Sequence, residues 1–140
     1  MTAHFGQDCY LLIPSTYMNL SGGAVRAVAS YYKIAPENIL IAHDEIDLPA
    51  GVARLKFDGG SGGHNGLVDI IEQLGTKRFT RLRIGVGHPG TSKEVIDYVL
   101  KAPSKTDRQE IAAAMQRAQE VMPLVVAGDL QKAMQELHSA

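Results

Sequence analysis

Four consecutive apolar residues, Ile39-Leu40-Ile41-Ala42, run directly into His43-Asp44-Glu45-Ile46-Asp47. The run is too short for a helix and is apolar at odd and even positions alike. That pattern fits a parallel strand covered on both faces, and a strand of this kind needs helices to cover it. The flanking sequence supplies them. Ala24, Val25, Val28 and Tyr31/Tyr32 have helical spacing that stops before Pro36. Leu67, Ile70, Ile71 and Leu74 recur at i, i+3, i+4 and i+7, and Gly75 is placed as a C-terminal stop. Cys9 to Pro14 reads as a short strand, Val52 to Phe57 as another, and Leu82, Ile84 and Val86 alternate with Arg81, Arg83 and Gly85 as in a half-buried strand. Thr91-Ser92-Lys93-Glu94 is a capping box ahead of Val95, Ile96 and Val99. Ser104 to Asp107 opens a helix with a stripe of Ile111, Met115, Ala118 and Met122, and Asp129 caps a last one carrying Leu130, Ala133, Met134 and Leu137. The Met and Leu stripes read as core. Strands alternating with helices predict an α/β domain, a mixed and mostly parallel sheet flanked by helices.

The 140 residues suit a single domain, 1–140, with 45% hydrophobic and 21% charged residues. No apolar run approaches the roughly 20 residues of a membrane span, and Met1 to Tyr10 does not read as a signal peptide. The single cysteine, Cys9, suits a reducing compartment, so the expected location is cytoplasmic. The Asn19-Leu20-Ser21 sequon therefore carries no weight. A net charge of −1 does not mark a nucleic-acid binder, but the charges are unevenly spread. Arg26 and Lys33 are the only Lys or Arg up to residue 49, whereas Arg54, Lys56, Lys77, Arg78, Arg81 and Arg83 crowd the middle. A local basic surface on a neutral protein can steer a polyanion; ordinary solvated faces are the alternative.

Asp58-Gly59-Gly60-Ser61-Gly62-Gly63-His64-Asn65-Gly66 leads straight into the helix near Leu67. Glycines allow close backbone approach, and a helix N-terminus offers N–H groups to an anion or a carbonyl oxygen. A flexible connector capped by Asn65 is the plainer reading. No Gly-Lys-Ser/Thr follows, so this is not a Walker A loop. Gly85-Val86-Gly87-His88-Pro89-Gly90 matches G-x-G-x-x-G formally, but Pro89 and the following capping box point to a turn rather than a nicotinamide site. At the carboxyl end of the apolar strand, where ligands bind in open α/β sheets, His43, Asp44 and Asp47 have metal-ligand types. A carboxylate that orients a histidine base fits that position better. His4 and His138, near the termini, read as bystanders, and Cys9 lies inside a strand.

Four segments taken together resemble bacterial-type peptidyl-tRNA hydrolase: Pro14-Ser15-Thr16-Tyr17-Met18-Asn19-Leu20-Ser21-Gly22, Ala42 to Asp47, Gly59 to Gly66, and Arg81 to Gly90. The resemblance runs from about residue 7 to the end. It implies hydrolysis of the ester joining a peptide to the 3′-terminal ribose of tRNA, without metal or cofactor. It implies that Tyr17 and Asn19 belong to the peptide-binding groove. Asn65 would bond the substrate near the attacked carbonyl and help position water, with His64 in the same loop. Asp44 would partner the catalytic histidine, and Lys56 with Arg83 would clamp the tRNA 5′-phosphate. Base, orienting acid and neutral donors are what ester hydrolysis requires, and a guanidinium suits a phosphate.

Family members also carry a first strand, a Gly-x-Gly-Asn-Pro-Gly turn and an Arg-His-Asn-Ala-Gly motif with the catalytic histidine; none occurs in these 140 residues. Ser61 stands where a histidine is common. The chain is therefore expected to lack the family's first strand and helix and to be catalytically incomplete alone. It is also expected to leave an uncovered sheet edge beside Ile39 to Ala42, open to self-association. The alternatives are a non-catalytic tRNA- or RNA-binding module, and a complete enzyme in which His64 or His88 is the base with Asp44.

Overall fold

A computed structural model of the chain describes residues 2–4, 8–10, 12, 21–62, 64–87 and 104–139. In chain order the elements are β1 Thr2–His4, β2 Asp8–Tyr10, α1 Ser21–Tyr31, a 3-10 turn Pro36–Asn38, β3 Leu40–Glu45, β4 Ala53–Phe57, α2 Asn65–Leu74, β5 Thr80–Gly85, α3 Lys105–Val126 and α4 Leu130–His138. Tyr17, Asn19, His88 and the capping box at Thr91 to Glu94 lie outside the described residues. No described helix is long and apolar enough to cross a membrane.

The strand expected from Cys9 to Pro14 begins at Asp8 and pairs antiparallel with β1, Ala3 facing Cys9. The larger sheet has the order β3-β5-β4. Thr80 N–H donates to Ile39 O and Val86 N–H to Glu45 O, so β5 and β3 advance together and are parallel. Gly85 N–H donates to Val52 O while Asp58 N–H donates to Phe79 O, so β4 runs the other way. The sheet is mixed.

Two expectations are corrected. β3 is an edge of the described sheet, where the sequence reading places an open edge, but its residues are not covered on both faces: Leu40 and Ile41 are half-buried and Ala42 is exposed. β5 is the central strand. Its burial does not alternate: Thr80, Arg81 and Leu82 are all buried, because both of its faces are covered.

The chain forms two compact units, residues 1–41 with 56–81 and residues 42–55 with 82–140. In the first, Val25 of α1, Leu67 and Ile70 of α2, and Phe79 form a buried cluster, with Ile39, Ile41, Ile71 and Leu74 packed against it. Each side chain buried in this way contributes roughly 1.5–3 kcal/mol. Gly75 closes α2 in the left-handed region, φ 72°, with its N–H on Ile71 O at 2.9 Å. The first turn of α1 is braced against the middle of α2. Gly22 N–H donates to Asp69 Oδ2 at 2.7 Å, where a carboxylate also complements the α1 dipole. A Cβ at Gly22 would collide with the Asp69 backbone, so glycine is needed there.

In the second unit, Ser104 caps α3 through Asp107 N–H at 3.1 Å and Asp129 caps α4 through Lys132 N–H at 3.2 Å, as the sequence indicates. The buried stripe of α3 is Ala114, Ala118 and Val121: Ala118 is as expected, but Ala114 and Val121 take the places of Met115 and Met122, and Met115 is 48% exposed. Small residues let α3 pack closely, and a flexible methionine tolerates the solvent side. Arg117 donates to Gly51 O.

His138 is no bystander. Its Nε2 accepts the N–H of Leu55, a β4 residue only 2% exposed, at 3.0 Å. Burial, with a smaller contribution from the Arg54 charge, lowers its pKa, and an accepting Nε2 requires the neutral ring. A lowered folded pKa places this stabilisation fully above the ordinary value near 6.5, and it is lost as pH falls through the lower folded value. His138→Leu should therefore cost about 1–3 kcal/mol at pH 7, leaving Leu55 N–H unsatisfied. The difference from wild type in urea unfolding should shrink at pH 5. An equal deficit at both pH values would show that the latch does not depend on the neutral ring.

Candidate active site

The glycine-rich segment follows β4 in the first unit. Asp58 and Gly59 both take positive φ, 68° and 108°, as does Gly62 at 60°. Such a path exposes carbonyl oxygens that no regular ladder satisfies. Arg81, the second residue of β5, satisfies them. Its Nη1 donates to Gly60 O at 2.5 Å and its Nη2 to the carbonyls of Gly59 and Lys77. The side chain is 2% exposed, and its guanidinium lies 4.5 Å from the Phe79 ring centroid. Burial pulls the Arg81 pKa below its ordinary value while the Asp58 charge pushes it back up; an arginine stays charged regardless. The sequence reading placed Arg81 on a solvated strand face and missed this role. The available signal was an arginine with five donors in the strand after a segment rich in uncommitted carbonyls.

At the end of the segment His64 caps α2. Its Nδ1 accepts Leu67 N–H at 3.2 Å, while Asn65 is the first residue of the helix proper. The cap expected of Asn65 thus falls to His64. A neutral imidazole that accepts at Nδ1 carries its proton on Nε2, so in this arrangement the ring offers no bare nitrogen to act as a base. That counts against His64 as the general base.

Lys56 is exposed and leans over the segment: a Cβ on Gly59 would lie 3.0 Å from its Nζ. Arg78 approaches Asp58 at 3.8 Å, with side chains 60% and 44% exposed, a pair too solvated to add much.

The second unit holds the other candidates. His43, buried, donates from Nδ1 to Asp44 O at 2.8 Å, which fixes the backbone that presents Asp44. Glu45 accepts Arg83 Nε at 3.0 Å, the two side chains being 13% and 24% exposed. The acidic cluster is therefore already divided: Glu45 holds an arginine, and Asp47 lies on the exposed turn. Among the described residues no group of three His, Cys, Asp or Glu is placed to hold a metal ion. Gly85 answers a packing need, because a Cβ there would run into Pro49 O and Leu48; it is not a phosphate turn. A groove of about 490 Å³ lined by Arg26, Ser30, Lys33, Glu72, Gln73 and Gly75 includes none of these candidates.

Similarity to known proteins places these features in one family. A family model described as peptidyl-tRNA hydrolase matches residues 1–140. The chain is 51% identical over 142 residues to the peptidyl-tRNA hydrolase of Nitrosospira multiformis, covering 99% of this chain and 74% of that protein. It is 56% identical over 132 residues to that of Coxiella burnetii, covering 94% and 71%. The crystal structure of the peptidyl-tRNA hydrolase of Acinetobacter baumannii superposes with a TM-score of 0.94 at 44% identity, covering 97% of this chain and 69% of that one. The chain belongs to the peptidyl-tRNA hydrolase family.

Proposed function

We propose that the chain binds the acceptor end of peptidyl-tRNA and serves hydrolysis of the ester between the peptide and the 3′-terminal ribose. The observation that carries this reading is the family match through all 140 residues, which includes the glycine-rich segment and the start of α2. When water attacks an ester carbonyl, negative charge grows on the carbonyl oxygen and needs fixed donors. Asn65, at the first position of α2, is the residue we assign to that region, donating through its amide and helping to place the water. Tyr17 and Asn19 are assigned to the peptide side, on the resemblance of their segment. His64 serves by fixing the helix start rather than by taking a proton.

Asp44 is assigned to orienting a histidine base. In relatives that histidine belongs to an Arg-His-Asn-Ala-Gly motif, which these 140 residues do not contain. We therefore read the chain by itself as a binder and a slow esterase. A general base typically contributes about 10²–10⁴-fold. Peptide release from peptidyl-tRNA should be slower by about that factor than with the Acinetobacter baumannii enzyme assayed in parallel. His64→Asn, which retains a capping group, should change the rate little. Fast turnover that His64→Asn abolishes would instead make His64 the base.

Lys56 and Arg83 are each assigned a phosphate of the tRNA. Glu45 supports Arg83 in this by holding Nε, which orients the plane of the guanidinium and leaves the Nη edge for an end-on, two-point grip. Lys56→Ala and Arg83→Ala should each weaken tRNA binding and each lower the slope of log K against log salt by roughly one. Unchanged affinity and slope in both variants would remove the phosphate assignment.

A further inference from the structure

We propose that Arg81 is a positioning residue for the substrate-facing segment: it holds the Gly59 and Gly60 backbone that leads toward His64 and Asn65 at the start of α2. This rests on the reading that Asn65 meets the substrate.

Three observations in the first unit carry it. First, the segment leaves the β4 ladder on an irregular path: Gly59 N–H donates to Asp58 Oδ1 at 2.7 Å, Asp58 N–H to Phe79 O at 3.1 Å and His64 N–H to Ser61 O at 3.1 Å. Positive φ at Asp58, Gly59 and Gly62 gives it a path that glycine-rich backbone adopts as one option among many. Second, one side chain on a central strand takes the carbonyls of two consecutive loop residues, Gly59 and Gly60, and that of Lys77 on the far side. The planar fork fixes their directions as well as their distances. Third, filling the space does not call for an arginine there. The position is 2% exposed and beside Phe79, and among the described residues Arg81 Nε is buried without a hydrogen-bond partner. An apolar chain of similar length would fill the space without a buried charge to desolvate. What the guanidinium adds is the geometry of the loop.

Lysine's compact ammonium lacks the planar fork, and methionine donates to no carbonyl. The test uses the full chain as wild type, Arg81→Met, Arg81→Lys and Arg81→Ala. Unfolding and amide exchange are measured for each. So is affinity for a short CCA-ended RNA bearing an amide-linked acyl-aminoacyl group at its 3′ ribose, a mimic that cannot be hydrolysed. Arg81→Met should unfold in one transition at a denaturant concentration near that of wild type. It should nevertheless lose amide protection from Gly60 to Asn65 and bind the mimic about 10–100-fold more weakly, the scale expected of a misplaced contact group. Arg81→Lys should fall between. Guanidinium at a few millimolar should restore protection and affinity to Arg81→Ala, while equal sodium should not. If Arg81→Met keeps both loop protection and affinity, the proposal fails. If it loses loop protection but binds as wild type, Arg81 is structural only, and the proposal again fails. Should wild type not bind the mimic, the substrate reading falls, while loop protection and its guanidinium rescue still decide whether Arg81 orders the segment.

Discussion

A run of glycines can reach a shape that other residues cannot, but it cannot hold that shape alone. Each glycine keeps more conformational freedom than any other residue, and fixing one backbone residue costs roughly 1–2 kcal/mol. The segment before α2 escapes this through a buried guanidinium anchored on the central strand. Arg81 converts uncommitted carbonyls into acceptors of a charged donor, which form stronger bonds than neutral pairs. Around it the rest of the first unit is arranged: Phe79 stacks below, His64 closes the helix start, and Asp69 ties that helix to the N-terminus of α1. The hydrophobic cluster of Val25, Leu67, Ile70 and Phe79 makes the unit stable; the arginine makes its loop specific.

Much of this was legible in the sequence. The periodicity of Leu67 to Leu74 and the glycine after it located α2 and its end, and Ser104 and Asp129 marked the starts of α3 and α4. The physical reason is that caps and helical stripes are local, so neighbouring residues decide them. What escaped the sequence depends on partners distant in the chain. Alternation assigned Arg81 to solvent, yet Thr80, Arg81 and Leu82 are all buried, because what covers each face of a strand is not written in the strand's own residues. The Ile39 to Ala42 run read as covered on both faces, but Leu40 and Ile41 are half-buried and Ala42 is exposed. His138 looked like a terminal residue because its partner, Leu55 N–H, lies 83 positions away.

The candidate site shows the same division. The resemblance pointed to Asp44, His64, Lys56 and Arg83, but the part played by Glu45 and the engagement of His64 came from geometry. Glu45 is committed to Arg83, and His64 spends its acceptor on a helix N-terminus. An ion pair as enclosed as Glu45–Arg83 orients its arginine more than it stabilises the fold.

The central claim is that the Arg81-held segment faces the substrate. It is tested most directly by recording amide NMR spectra of the chain while adding the non-hydrolysable acyl-aminoacyl RNA. The account predicts saturable shifts at Gly60, Ser61, His64 and Asn65, with α3 and α4 signals unmoved. Saturable shifts confined to the groove lined by Arg26, Lys33 and Glu72, with the glycine segment silent, would contradict it.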